Sequence, residues 1–275
     1  RVDGELLDAA GPGLQVVANY AVGYDNIDVA ACSARGVLVC NTPDVLTEAT
    51  ADQAFALLLA AARRIPEGHR LVSSGRWRGW HPLELLGRDV AGATLGIVGM
   101  GRIGSAVARR ARGFGMDVLY HNRNRRPVDE EELGVRYCPS LPELLGQSDF
   151  VSLHAPLTEE THHLLDREAL AGMKEGAVLV NTARGALVDE KALLEALQTG
   201  PLFAAGLDVF ENEPKLTPGL AELDNVVLAP HLGSATRAVR ERMARLCSDA
   251  VIAVVSGGTP ATALNPPGGQ PPAAG

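Results

Sequence analysis

The feature that most constrains this chain is an alternation that begins at Thr94 and runs most of the way to the C-terminus. Short, nearly continuous apolar runs rich in β-branched residues recur at Thr94–Val98, Asp117–His121, Val135–Cys138, Phe150–His154, Ala177–Asn181, Ala204–Asp208 and Asn225–Ala229. Stretches of helical periodicity lie between them. Arg102–Phe114 sets Ile103, Val107 and Phe114 on one stripe, and Glu190–Thr199 does the same with Leu193, Leu194 and Leu197. Runs without polar alternation belong to strands covered on both faces. Strands of that kind alternating with helices predict an α/β fold, a doubly wound parallel sheet with right-handed crossovers.

Upstream of Thr94 the texture changes. Gln15–Tyr20 and Val37–Cys40 read as two more parallel strands with a short helix between them. A long helical pattern follows, Thr47–Ile65, with Phe55, Leu58, Leu59, Ala62 and Ile65 on one face; Thr47 or Asp44 could cap its start, and Pro66 ends it. Two strands and one helix are too small to hold a core of their own. The segment is therefore either an appendage or part of a second domain whose start is absent from this chain. The Pro/Gly/Ala-rich stretch Gly257–Gly275 predicts a disordered tail.

Composition excludes several function classes. The net charge is −8 and aromatics are only 4% of the 275 residues, so there is no basic surplus to neutralise a nucleic-acid backbone. The longest apolar run, Ala54–Ala62, is too short to cross a bilayer. Four cysteines (Cys32, Cys40, Cys138, Cys247) without a CxxC pair point to a reducing cytoplasm rather than a disulfide framework.

Gly99-Met100-Gly101-Arg102-Ile103-Gly104 is a GxGxxG sequence that follows a strand and opens a helix. That is the context of a dinucleotide phosphate loop: the first glycine permits the turn, the second admits the pyrophosphate, and the third lets helix and sheet approach. The helix N-terminus adds N–H donors and the positive end of its dipole. The end of the next strand should choose the cofactor. An acid there would accept the adenosine ribose hydroxyls and repel a 2′-phosphate. This chain has instead Asn122-Arg123-Asn124-Arg125-Arg126. Guanidinium groups bind phosphate in bidentate geometry, so NADP(H) is expected to be preferred, with NAD(H) possible. The competing reading is a solvated basic turn balanced by Asp129, Glu130, Glu131 and Glu132.

Three polar residues lie just past C-terminal strand ends, where open α/β sheets place their sites. They are Arg184 in Asn-Thr-Ala-Arg-Gly, Glu213 in Asp-Val-Phe-Glu-Asn-Glu-Pro, and His231 in Ala-Pro-His-Leu-Gly. Beside a nicotinamide they suggest carbonyl reduction: Arg184 holding a carboxylate, His231 exchanging a proton and Glu213 stabilising the imidazolium. Read singly, a Glu before Pro is a surface residue and a strand-end His a structural one.

Taken in order, Val22-Gly23-Tyr24-Asp25-Asn26-Ile27-Asp28, Asn41-Thr42-Pro43, the GxGxxG loop, His154-Ala155-Pro156-Leu157-Thr158, Asn181-Thr182-Ala183-Arg184-Gly185, Gly206-Leu207-Asp208-Val209 and Pro230-His231-Leu232-Gly233 resemble the D-isomer-specific 2-hydroxyacid dehydrogenases. Within that family they resemble the glyoxylate/hydroxypyruvate reductase branch, which the spacings of 29 residues from Arg184 to Glu213 and 18 on to His231 also match. The resemblance implies a Rossmann domain with a smaller, flavodoxin-like substrate domain, truncated at its N-terminus. It divides the chain into residues 1–43 (substrate domain), 44–234 (NAD(P) domain), 235–262 (a C-terminal helix returning to the substrate domain) and 263–275 (disordered tail).

The resemblance further implies NADPH-dependent reduction of glyoxylate or hydroxypyruvate, with Arg184, Glu213 and His231 catalytic and His231 the proton donor. Val22 and Gly23, with Arg184, would hold the substrate carboxylate. Gly99, Gly101, Arg102, Ile103, Gly104, Asn122, Arg123, Asn124, Arg125, Pro156, Thr182, Ala183 and Gly233 would line the cofactor, Asp208 would meet the nicotinamide amide, and Thr50 would lie nearby. It implies no metal, a homodimer, and small 2-oxo or 2-hydroxy acids as the only partners. D-lactate or phosphoglycerate dehydrogenases are the alternatives within this chemistry, and a dinucleotide-sensing corepressor is the alternative outside it. Glu213 argues against a formate dehydrogenase, which has Gln in its place. His162 and His163 lack a Cys or carboxylate at ligand spacing, which argues against a metal site. His81 and Cys40 read as packing residues, and Phe55, Leu58 and Leu59 as core or dimer interface.

Overall fold

A computed structural model describes residues 1–268 and divides the chain into two compact units: Arg1–Ala49 with the segment from Ser234 onward, and Thr50–Gly233. The second unit carries the alternation. Its strands are β3 (Thr94–Val98), β4 (Asp117–His121), β5 (Arg136–Tyr137), β6 (Phe150–Leu153), β7 (Ala177–Asn181), β8 (Leu202–Leu207) and β9 (Val226–Leu228), numbered after β1 (Val16–Ala18) and β2 (Leu38–Cys40) of the first unit. They form one sheet, all parallel, in the order β5-β4-β3-β6-β7-β8-β9. The chain runs outward from β3 to β5 and then crosses back to β6 on the other side of β3. That reversal is the crevice where open α/β sheets bind ligands.

The strands are apolar on both faces because both faces are covered. Leu95 and Ile97 of β3, with Val178 and Val180 of β7, join Phe55, Leu58, Val107 and Tyr120 in one core; Val98, Val151, Leu153 and Leu179 join Leu144, Leu193 and Leu197 in the other. The long helix ends at Ala62, earlier than Ile65. Pro66 does not stop it. Arg64 turns into the left-handed region, and Pro66 sits in the first turn of a separate helix, Ile65–Ser73, where a missing N–H costs nothing. That helix leaves two of its apolar residues, Ile65 and Val72, exposed and buries none.

In the first unit β1 and β2 pair in parallel, Val16 opposite Leu38. Helices Gly4–Ala10, Val29–Ala34 and Arg237–Val255 complete it, capped by Asp3, Asp28 and Thr236. Its small core contains Leu7, Ile27, Cys32, Val37, Val39 and Leu264. Leu264 corrects the disorder expected from Gly257 onward and from 263. Its N–H bonds the Val39 carbonyl at 2.7 Å, and the Asn265 side chain takes the Val39 N–H and donates to the Val37 carbonyl. A Pro/Gly-rich segment with one apolar anchor can thus add an edge to a sheet; residues 269–275 of the expected tail lie outside the described residues. The four cysteines are free, and no described helix is long and apolar enough to cross a membrane.

Candidate active site

The phosphate loop leaves β3 at the sheet's reversal. Gly99 has φ +98, and a Cβ there would sit 2.5 Å from the Ala155 nitrogen of the segment leaving β6. A Cβ on Gly104 would sit 2.3 Å from the Gly99 carbonyl. Both positions therefore demand glycine, one for its dihedral and one for close packing. Gly101 caps the helix Arg102–Gly113 in extended conformation, so the first N–H groups of that helix face the crevice end. Asn122 accepts the Met100 N–H at 2.6 Å and so braces the loop from the next strand. His154, at the end of β6, is pushed down to about 4 by burial, and its Nε2 meets the Ser152 hydroxyl at 2.8 Å.

The basic turn after β4 is divided. Arg125 is committed to Glu130 through two bonds of 2.8 and 2.7 Å and lies over the Tyr137 ring. Tyr120 donates to the same carboxylate at 2.7 Å. These contacts hold Glu130 down at about 2, and burial raises Tyr120 to about 12. Arg126 pairs with Asp129. For Arg125 and Arg126 the balance with the acidic run is thus real; Arg123 and Asn124, exposed like them, lie outside it, and Arg123 stands near Glu160. Pro156 lies in the exposed turn after β6, where its carbonyl accepts the Thr161 hydroxyl at 2.7 Å.

At the other half of the sheet edge, the ends of β7, β8 and β9 carry the expected catalytic residues. Asn181, which sequence reasoning did not single out, shapes the first turn: its side chain accepts the Ala183 N–H and donates to the Arg184 carbonyl. Arg184 is half-buried and extended. Thr182 has a buried hydroxyl without a partner among the described residues. An orphaned buried hydroxyl between a glycine-cradled helix N-terminus and an arginine fits a polar ligand such as a dinucleotide.

Glu213 faces both ways. One carboxylate oxygen accepts the Phe210 N–H at 3.0 Å and the other meets His231 Nδ1 at 3.1 Å. His231 stands in the left-handed region at φ +55, uncommon for a residue with a Cβ. Asp208 holds it there. The Asp208 carbonyl accepts the His231 N–H, and its two carboxylate oxygens accept the N–H groups of Leu232 and Gly233 at 2.7 Å each. Gln53 donates to the same carboxylate, and Thr50 donates to the Gly233 carbonyl at 3.2 Å. Desolvation raises the Asp208 pKa, against the pull of these donors. Asp208, expected at the nicotinamide amide, thus works first on the turn that presents His231, a role its position in the sequence does not disclose.

Val22 and Gly23 lie in the first unit, in the loop after β1. There Asn41 donates to the Val22 carbonyl and Asn19 to the Gly23 carbonyl. His162 and His163 stack at 4.0 Å, and the fold supplies the carboxylate that their sequence neighbourhood lacks: His163 Nε2 meets Glu211 at 2.9 Å.

Residues 55–233 match the family described as D-isomer specific 2-hydroxyacid dehydrogenase, NAD binding domain. The chain belongs to the D-isomer-specific 2-hydroxyacid dehydrogenases. That family makes it an NAD(P)-dependent oxidoreductase. It is 56% identical to a glyoxylate reductase of Korarchaeum cryptofilum, over 98% of this chain and 83% of that one. It is likewise 56% identical to a glyoxylate reductase of Thermococcus onnurineus, over 96% and 80%. Among solved structures, an NADPH-dependent glyoxylate/hydroxypyruvate reductase from Sinorhizobium meliloti, in complex with NADP and malonate, is 41% identical with a TM-score of 0.87, covering 94% of this chain and 80% of that one. A D-lactate dehydrogenase from Aquifex aeolicus with NAD and lactic acid is 37% identical with a TM-score of 0.84, over 93% and 80%.

Proposed function

We propose that this dehydrogenase reduces glyoxylate or hydroxypyruvate to the D-2-hydroxy acid, with NADPH preferred. The observation that carries the reading is the His231–Glu213 contact, 3.1 Å, at the sheet edge that also bears the Arg184 turn. When bound, the dihydronicotinamide supplies the hydride that the carbonyl carbon takes up. His231 donates the proton to the carbonyl oxygen and is left neutral. Because Glu213 occupies Nδ1, the Nε2 proton faces the substrate, and the carboxylate stabilises the imidazolium before transfer. Arg184 pairs its guanidinium with the substrate carboxylate, which orients the 2-oxo carbon. The N–H groups around Gly101–Gly104 would hold the pyrophosphate and the Thr182 hydroxyl would take a polar cofactor atom. Since Glu130 engages Arg125, a 2′-phosphate would fall to Arg123, and Asn122 adds no repelling charge.

The relatives' printed activities support the substrate class, and the Sinorhizobium meliloti enzyme's NADPH dependence supports the cofactor. We also propose a homodimer: Ile65, Val72, Trp80, Leu83 and Leu86 of one continuous segment are exposed, an apolar surface that a second copy would cover. Initial rates with glyoxylate and hydroxypyruvate, each with NADPH and NADH after chelator treatment, test the reading. The expected result is turnover with both acids, faster with NADPH and unchanged by the chelator. No oxidation of either cofactor, or a loss that zinc restores, would overturn it.

A further inference from the structure

Glu213 lies on a stretch between β8 and β9 that belongs to neither strand, and although the Phe210 N–H holds one of its carboxylate oxygens, something else must fix the stretch itself. We infer that Glu190 is the positioning residue that clamps this stretch on both sides of Glu213. Glu190 is 2% exposed, at the start of the helix Glu190–Gln198. One of its carboxylate oxygens accepts the Glu211 N–H at 2.7 Å; the other accepts the Thr217 hydroxyl at 2.7 Å and the Thr217 N–H at 3.3 Å. The two anchored residues therefore bracket Glu213, two positions before it and four after.

The clamp is reciprocal. The Glu211 carboxylate accepts the Glu190 N–H at 3.4 Å and the His163 ring at 2.9 Å, and His163 itself is tied to the Ala186 carbonyl through its N–H. Gly185, next to Arg184, packs directly on the same loop: a Cβ there would lie 1.8 Å from the Phe210 carbonyl carbon. The arginine turn and the Glu213 loop are thus in backbone contact, and Glu190 sets their shared register. A buried carboxylate survives only where its acceptor sites are filled, and here all three donors belong to the loop it holds. The His162/His163 pair is better explained by this clamp than as a ligand set, because the rings stack alongside each other and Glu211 already engages His163.

The inference rests on the proposed reduction with His231 as proton donor, and its test separates the two. Glu190→Gln keeps the shape but turns an N–H₂ toward one of the donors. With Glu213 loosened, the imidazolium loses its counter-charge. The expected result is a kcat about 10-fold lower, an unchanged KM for NADPH, and an alkaline limb of kcat/KM displaced to lower pH by about one unit. Asp208 also faces His231, and His163 and Glu211 lie on the clamp itself; all are left in place in every variant. Should Glu190→Gln fail to fold, Thr217→Val decides: it removes one donor, so it should displace the limb in the same sense, and Thr217→Ser should restore it. A limb at the wild-type pH in the folded Gln and Val variants overturns the inference, even if kcat is lower. An inactive wild type, or a normal His231→Ala variant, would instead overturn the proposed function beneath it.

Discussion

At the β3–β4 end of the sheet the site is built from backbone, whereas at the β7–β9 end it is built from carboxylates. Gly99 and Gly104 contribute by lacking a side chain and Gly101 by capping the helix, and the contacts that fix them lie in the loop itself or on the adjacent strands. Asp208, Glu190 and Glu213 contribute by accepting N–H groups from residues up to 27 positions away, including Leu232, Gly233 and Thr217. The first kind of site tolerates no added atom. The second tolerates shape changes but not the loss of an acceptor, since each lost acceptor strands a donor that something else must satisfy. Turnover should therefore be most sensitive at the carboxylate end, and cofactor choice at the backbone end.

The largest expected effect breaks the catalytic end alone. His231→Ala should lower kcat by about 100-fold or more, the usual scale for removing a positioned general acid. NADPH affinity, measured by fluorescence titration, should stay within about threefold, because the phosphate loop leaves β3 whereas His231 follows β9 at the other half of the sheet edge. Near-normal turnover would move the proton donor elsewhere. A comparable loss of cofactor affinity would show that the two ends are not separable.

The next effect sharpens the cofactor end. Asn122→Asp with Arg123→Ala should reverse the preference, changing the NADPH/NADH ratio of kcat/KM by about 10- to 100-fold, given that a charge-assisted hydrogen bond contributes about 1.5–3 kcal/mol. Arg125→Ala should change that ratio little, because Glu130 already holds this guanidinium. Equal efficiency of both cofactors in the wild type would mean that Arg123 does not read the phosphate. A smaller effect returns to the carboxylate end. Asp208→Asn keeps one acceptor oxygen for three N–H donors, those of Leu232, Gly233 and Gln53, so the turn presenting His231 should loosen and kcat fall about 10-fold. Unchanged turnover would show that Thr50 and Gln53 suffice to hold the turn.

The same contrast explains what could be read from the sequence. The parallel sheet and the glycine loop were legible because their signals are local: apolar runs of strand length, and glycines at fixed spacing after a strand. The motifs singled out Arg184, Glu213 and His231, and the fold places them past the ends of β7, β8 and β9, with Glu213 and His231 in contact. Their supports were not legible. Nothing near Glu190 in the chain marks it as the partner of Glu211 and Thr217, and nothing near Gln53 points to Asp208. Arg125 looked equivalent to Arg123 until the fold delivered Tyr120 and Glu130 to it. The ordered segment through Leu264 was hidden because its anchors, Val37 and Val39, are more than two hundred residues away.

The smallest effect concerns acid, and it should strike the backbone end first. His154 follows β6 with its backbone packed against Gly99 of the phosphate loop, and burial holds its pKa at about 4, against 6.5 for the free side chain. Above pH 6.5 the ring is neutral in both folded and unfolded chains and contributes nothing to the pH dependence. Between 6.5 and 4 the unfolded chain binds a proton that the folded one refuses, so stability falls as the pH falls, and below 4 the loss is complete. For a partly exposed ring the loss is about 1–2 kcal/mol, a few degrees in Tm for a chain of this size. Glu130 acts in the same direction but lower, since its pKa of about 2 confines its loss to below its ordinary 4.5. Between pH 6.5 and 4.5 the raised Asp208 carboxyl acts in the opposite sense, so His154 is read by comparing the wild type with a variant. The wild type should lose a few degrees across that range, and His154→Asn, which cannot take up the proton, should lose measurably less. Parallel Tm profiles for the two proteins would show that the ring titrates freely in the fold, and that the backbone end is no more acid-sensitive than the carboxylate end.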